Sequence, residues 1–208
     1  MDTTAIKFGF SNRGRRPATK LVRFRDTKTL TILALPRGGF PVAAEIASAL
    51  EVTLDILTVR KLGVPGPEEV AFDAISGGEV RVLSKELIGL LDLRSEQIDA
   101  NTRTEKEVLD RRERVYRSDR PLPAITARAV IIVDDGVATG STISAAIGLP
   151  RKQLADRIIV AVPVSPVDTA ARLREEADEV IPLLEPEHFV AVGPRYEDFS
   201  QTSDSEVQ

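Results

Sequence analysis

The chain has 208 residues, 42% apolar and 29% charged, with a formal net charge of −4 and a pI near 5.3. That length suits one domain with a sizeable core, and the acidic balance argues against binding held mainly by nucleic-acid phosphates. The absence of cysteine excludes disulfides, thiol nucleophiles and thiolate metal sites, and a single histidine, His188, excludes a multi-histidine metal site. No apolar run approaches the ~20 residues that span a bilayer. Met1–Phe10 lacks the basic-then-apolar pattern of a secretory signal, so a cytoplasmic protein is expected.

In chain order, the pattern is strand, loop, helix, repeated. Leu30–Leu35 is a short apolar run ending in Pro36-Arg37-Gly38-Gly39. Pro41–Leu50 follows with Val42, Ile46 and Leu50 four apart, a helical stripe. Thr53–Val59 reads as the next strand. Ser84–Arg117 stands outside the scheme: a short apolar helix (Leu87, Ile88, Leu90, Leu91) precedes a charged one from about Ser95. The second reads as a solvated helix with i,i+4 ion pairs, or else as a nucleic-acid or partner surface. Ala129–Val133 is continuously apolar, as a strand covered on both faces should be. A Gly/Thr/Ser loop and a short helix through Ile147 follow, which Pro150 should stop. Arg157–Val164, Val167–Ala177 and Glu179–Leu183 read as strand, helix and strand. Alternating apolar strands and amphipathic helices predict right-handed βαβ units and a parallel sheet. The polar tail from Ser200 is expected to fray.

The chemistry concentrates after Val133, in Asp134-Asp135-Gly136-Val137-Ala138-Thr139-Gly140-Ser141-Thr142. A buried strand delivers two carboxylates to the carboxyl edge of the sheet, where open α/β folds bind ligands. Neighbouring side chains there diverge, so they can address different hydroxyls of one sugar, or a hydrated divalent cation. Small residues then open a helix, and the N–H groups of Thr139–Thr142 form an anion site. An acidic turn with an ordinary Ser/Thr cap is the plainer alternative. A Walker phosphate loop would need a Lys-Ser/Thr pair and spaced glycines, and neither is present; Gly136 and Gly140 are also wrongly spaced for a dinucleotide fingerprint.

This segment resembles the motif by which type I phosphoribosyltransferases bind 5-phosphoribosyl-1-pyrophosphate (PRPP). The resemblance implies that Asp134 and Asp135 bind the ribose hydroxyls and, through water, Mg²⁺. It also implies that Gly136 and Ala138, Thr139, Gly140, Ser141 and Thr142 bind the 5′-phosphate side. Leu35-Pro36-Arg37-Gly38-Gly39 resembles the family's pyrophosphate loop, which implies a cis Pro36–Arg37 bond. Arg60 and Lys61, followed by Gly63, Pro65 and Gly66, resemble the start of its flexible catalytic loop, closing as a lid up to about Gly78. Phe189–Phe199 is similar to its hood, which implies that Phe189 and Val190 meet a base. Through Ser200-Gln201 it also resembles a poorly characterised group of bacterial and archaeal phosphoribosyltransferases.

The implied fold is a Rossmann-like parallel sheet flanked by helices, in a single domain over 1–208. Its core covers about 28–183, with a helical insertion at 84–117, a hood at 184–200 joined by the N-terminal segment, and a flexible tail at 201–208. The implied activity is Mg²⁺-dependent phosphoribosyl transfer from PRPP to a nitrogen acceptor, releasing pyrophosphate, with Arg60, Lys61, Asp134 and Asp135 as catalytic groups. Hypoxanthine-guanine enzymes carry an acid where Ala138 stands, and the hood lacks an Asp at the usual base-reading spot. The acceptor therefore stays open between a nucleobase and another amine. A PRPP- or nucleotide-sensing protein with little turnover is a further reading. No nucleic-acid or membrane partner is implied, and a homodimer is left open.

Overall fold

The structure is a computed structural model that describes residues 15–27, 29–63, 71–76, 80–83, 94–118, 120–196 and 202–207. Its main sheet has five strands: β1 (Leu30–Ala34), β2 (Thr53–Ile56), β6 (Ala129–Val133), β7 (Arg157–Val164) and β8 (Glu179–Leu184). All pair in parallel, in the order β2-β1-β6-β7-β8. Alternation along the strands divides the core in two. Leu33, Val130, Ile132, Ile158 and Val160 face one side, packed with Ile143, Ile147 and Leu173 from α4 (Ser141–Lys152) and α5 (Val167–Glu176). Ile32, Ala34, Ile131, Val133, Ile159 and Ala161 face the other, packed with α1 (Arg15–Leu21) and α2 (Gly39–Leu50). Burial on both faces is why these strands read as unbroken apolar runs. Each fully buried Leu or Ile contributes roughly 1.5–3 kcal/mol.

The order reverses between β1 and β6: β2 lies outside β1, while β7 and β8 continue beyond β6. Loops leaving the carboxyl ends of β1 and β6 therefore diverge over one crevice, the topological switch point where ligands bind in open α/β sheets. The Leu35 N–H bonds Val133 O at 2.9 Å, carrying the pairing one step past the strands.

Four local expectations need correction. Thr53–Val59 is not one strand. β2 ends at Ile56, Leu57 still bonds Ala34 O at 2.9 Å, and the chain then leaves the parallel sheet. Second, Val59–Gly63 (β3), Ala71–Ser76 (β4) and Val80–Leu83 (β5) form an antiparallel sheet, strands that the reading of this stretch as a flexible loop up to about Gly78 did not include. Leu62 and Ile75, both buried, give it an apolar side, and residues 64–70 and 77–79 lie outside the described residues. Third, α4 runs through Pro150 to Lys152. In the last turn, proline removes only its own N–H from the ladder; its carbonyl still accepts from Ala155 at 2.9 Å, and its ring is buried. Fourth, the tail does not fray throughout. Asp204–Val207 forms α6, and Val207 is buried with Ile56, Tyr116 and Phe40.

The charged helix α3 (Ser95–Arg117) does carry an i,i+4 pair, Lys106–Asp110 at 2.9 Å. It is nonetheless a docked strut. Arg117, only 3% exposed, is paired with Asp55 at 2.8 Å and donates to Ile56 O at 2.9 Å. Glu113 accepts from Thr58 Oγ1 at 2.9 Å. The expected helix around Leu87–Leu91 lies outside the described residues, as do residues 1–14 of the N-terminal segment and residues 197–200 of the expected hood. No helix among the described residues is long and apolar enough to cross a membrane.

Candidate active site

At the end of β6 the Asp135 N–H bonds Asp134 Oδ1 at 2.9 Å, so the two acids lie together at the sheet edge. Burial holds the Asp134 carboxyl well above the usual carboxylate range. The neighbouring Asp135 charge adds to this, and the Asp135 N–H pulls the other way. Two adjacent carboxylates in a polar crevice suit a hard divalent cation, which would relieve both the repulsion and the desolvation. Among the described residues no group of three or more His, Cys, Asp or Glu gathers, so further ligands would come from water or a bound phosphate.

The β1 loop lies directly against this pair. A Cβ on Gly38 would overlap Asp135 Oδ2 and stand 2.5 Å from its Cγ, and one on Gly39 would stand 2.7 Å from Val133 O and 2.8 Å from Asp134 Cα. Only glycine lets the two loops approach this closely. The Pro36–Arg37 peptide is cis. Pro36 is half-buried and Arg37 is exposed. Two segments about a hundred residues apart in the chain therefore line one crevice.

The remainder of the β6 loop is pinned by hydrogen bonds to β7 and α5. The Val137 N–H bonds Val164 O at 2.8 Å, Ala138 O accepts from Thr169 Oγ1 at 2.9 Å, and Thr139 O accepts from the Arg172 guanidinium. Gly140 takes φ +80°, a left-handed conformation that favours glycine, and its carbonyl accepts from the Ser144 N–H at 2.9 Å. Thr139 and Ser141 share a hydroxyl hydrogen bond of 3.0 Å. The N–H groups of Thr139–Thr142 are tied to no acceptor among the described residues. They open α4, whose dipole adds positive potential there, and so form a nest for an anion.

The segment expected to form a hood packs against the β6 loop through residues that sequence reasoning did not single out. Tyr196, buried, donates its hydroxyl to Asp135 O, and Val192 and Val164 crowd the face of Gly136. Phe189 is half-buried beside Val164, Tyr196, Leu183 and Val192, while Val190 is 94% exposed. Arg60, on β3, is engaged by α3: its Nε donates to Glu105 at 2.7 Å. Lys61 lies on β3, and its side chain is outside what the structure describes.

The phosphoribosyl transferase domain family matches residues 12–198 of the sequence. The chain belongs to this family. Its parallel sheet and switch-point crevice are the type I phosphoribosyltransferase fold. Two Mycobacterium tuberculosis proteins, from strains CDC 1551 / Oshkosh and H37Rv, carry provisional names as phosphoribosyl transferases. Each is 44% identical over 194 residues, which is 93% of this chain and 44% of the relative. The chain thus spans less than half the length of these curated relatives. The crystal structure of the protein TT1426 from Thermus thermophilus superposes with a TM-score of 0.86 at 35% identity, covering 97% of this chain and 96% of that one.

Tyr196, Thr169 and Arg172, which bond carbonyls of the β6 loop, were not singled out in the sequence. Tyr196 carried a weak signal, being one of only two tyrosines and lying just beyond Gly193-Pro194. Thr169 and Arg172 carried none, since a Thr and an Arg on an amphipathic helix look like any solvated face.

Proposed function

We propose that this domain transfers the 5-phosphoribosyl group of PRPP to a nitrogen acceptor, releasing pyrophosphate. One observation carries the reading: the N–H set of Thr139–Thr142, without acceptors among the described residues, opens a helix beside the Asp134–Asp135 pair. A sugar phosphate fits that pairing, with its phosphoryl group in the nest and its hydroxyls on the carboxylates. The pyrophosphate end then falls toward Arg37, Gly38 and Gly39, whose loop touches the same acids. Family membership and the names of the mycobacterial relatives support the assignment.

In this reading the bond from the sugar C1 to pyrophosphate breaks as the acceptor nitrogen bonds C1, through an oxocarbenium-like transition state. The nitrogen's proton is lost afterwards, and the electron pair of the broken bond leaves with pyrophosphate. No covalent protein nucleophile is required. Asp134 and Asp135 would hold Mg²⁺ through water, and the ion would supply charge neutralisation for the pyrophosphate. Fixing the sugar at its phosphate and hydroxyls makes attack effectively unimolecular. Phe189 and Val190 stand for the acceptor side, and a nucleobase is the acceptor of choice.

A second reading, a PRPP or nucleotide sensor with little turnover, has one specific support. The cation expected at the leaving group, Arg60, is already engaged by Glu105. Calorimetry with Mg²⁺ and PRPP, followed by pyrophosphate release with a panel of bases, separates the two. Binding with release is the transferase, binding without release from the bases or from a matching panel of amines is the sensor, and no binding refutes both.

A further inference from the structure

The face of α5 nearest the phosphate nest has its own chemistry. Ala170 and Leu173, each 0% exposed, fix this helix against the sheet and α4. One position before each of them stand Thr169 and Arg172, three apart and therefore neighbours on one helical face. Thr169 Oγ1 donates to Ala138 O at 2.9 Å, and the Arg172 guanidinium donates to Thr139 O. Gly140 lies under both: a Cβ there would stand 2.7 Å from Arg172 Nη2 and 2.9 Å from Thr169 Cγ2.

A peptide plane has its carbonyl and its N–H on opposite sides. Holding the carbonyls of Ala138 and Thr139 toward α5 therefore turns the N–H groups of Thr139 and Gly140 the other way, into the crevice. Arg172, which is exposed, also sets a fixed positive charge behind the nest. We infer that Thr169 and Arg172 are positioning residues for the phosphate of the substrate, orienting the nest's amides from behind without needing to touch the sugar. This rests on the proposed PRPP site and adds to it the device that keeps the loop set for a phosphomonoester.

The effect should be specific to the phosphoryl end. Thr169→Val keeps the side-chain shape and loses the hydroxyl; Thr169→Ser keeps the hydroxyl. Arg172→Met keeps much of the length and loses the donor and charge; Arg172→Lys retains a donor. Isothermal calorimetry on the intact chain, with ribose 5-phosphate and separately with pyrophosphate and Mg²⁺, reads the two ends of the site. Thr169→Val and Arg172→Met are expected to weaken ribose 5-phosphate about two- to tenfold each, the range of one hydrogen bond. Pyrophosphate affinity and Tm should be unchanged, and the Ser and Lys variants should recover at least half of the loss. In turnover the same variants should raise KM for PRPP and leave kcat in place. Equal ribose 5-phosphate affinity in wild type and Thr169→Val would overturn the inference and leave the PRPP reading standing. A parallel loss of pyrophosphate affinity would also overturn it, by making the helix a general support. A wild-type chain that binds neither ligand would overturn the PRPP reading itself.

Discussion

Gly38 sits so close to Asp135 that a methyl group on it would occupy the carboxylate's place, overlapping Oδ2 and standing 2.5 Å from Cγ. The β1 loop and the β6 acids are therefore one interlocked unit, and neither can be rebuilt alone. Gly38→Ala should push the Asp135 carboxylate out of position. Overpacking of this kind costs roughly 1–3 kcal/mol, and part of it should appear in ligand binding. The expected result is a PRPP affinity at least about tenfold weaker, ~1.4 kcal/mol, with a lowered Tm. Wild-type affinity by calorimetry would mean that Asp135 does not depend on this contact.

Asp134 is set against stability by its surroundings. Its carboxyl is held high by burial first and by the Asp135 charge second. The folded state thus favours the protonated form more than the unfolded chain does. That contribution is complete below the ordinary carboxylate pKa and is lost as pH rises through the raised folded value. Asp134→Asn removes the titration. Without ligand, the variant should match wild type in acid and become the more stable of the two as pH rises toward neutrality. Mg²⁺-dependent PRPP binding should fall sharply in the same protein. Parallel thermal melts from about pH 4 to 8, spanning the ordinary carboxylate value and neutrality, would check the sign; a variant less stable throughout would contradict it.

The switch-point architecture is legible in the sequence because β1, β6 and β7 are buried on both faces. A run such as Ala-Val-Ile-Ile-Val, too short for a helix and stopped by two acids, fits an inner parallel strand. The acid pair and small-residue loop are legible because their types are unusual together after such a strand. What escapes the sequence is long-range pairing. Arg60 looks like a free cation until Glu105, 45 residues later, reaches it. The stretch around Gly63 and Pro65 reads as a loop, yet Leu62 and Ile75 make its flanks a small antiparallel sheet. Pro150 misleads because proline loses only the bond its own N–H would make back to Ala146, while its carbonyl still accepts, so the two residues after it stay helical. The tail misleads by its polarity, since it docks through a single buried apolar residue, Val207, and the bond from Tyr116 to Asp204.

Arg117 anchors the charged helix to the sheet. Its guanidinium is paired with Asp55 and bonds the carbonyls of Ile56, Arg120 and Pro121, all from a position 3% exposed. Arg117→Met fills similar space but leaves those acceptors and the Asp55 carboxylate without their donor. Breaking a buried pair from one side costs about 3–5 kcal/mol. Denaturant unfolding should show a loss of that size with an unchanged m-value. The double variant Asp55→Asn, Arg117→Met should recover part of it, because the orphaned charge is gone. A loss below about 1 kcal/mol would place the pair among exposed ones.

Tyr116 gives a spectroscopic handle on the docked tail. Its phenol is pushed up to about 12, first by burial and then by its bond to Asp204 Oδ1 at 2.6 Å and that carboxylate's charge; Arg112 and Arg37 pull it down. Neutral phenol is the form the fold prefers, so this stabilisation is complete below the ordinary tyrosine value near ~10. It drains away as pH climbs through the folded value. Only Tyr116 and Tyr196 absorb as tyrosinates in this chain, and Tyr116→Phe identifies the band that belongs to Tyr116. In Asp204→Asn the negative charge is removed, and the Tyr116 transition should move down toward ~10. An absorbance titration with an unmoved midpoint would show that α6 does not hold Asp204 against this helix.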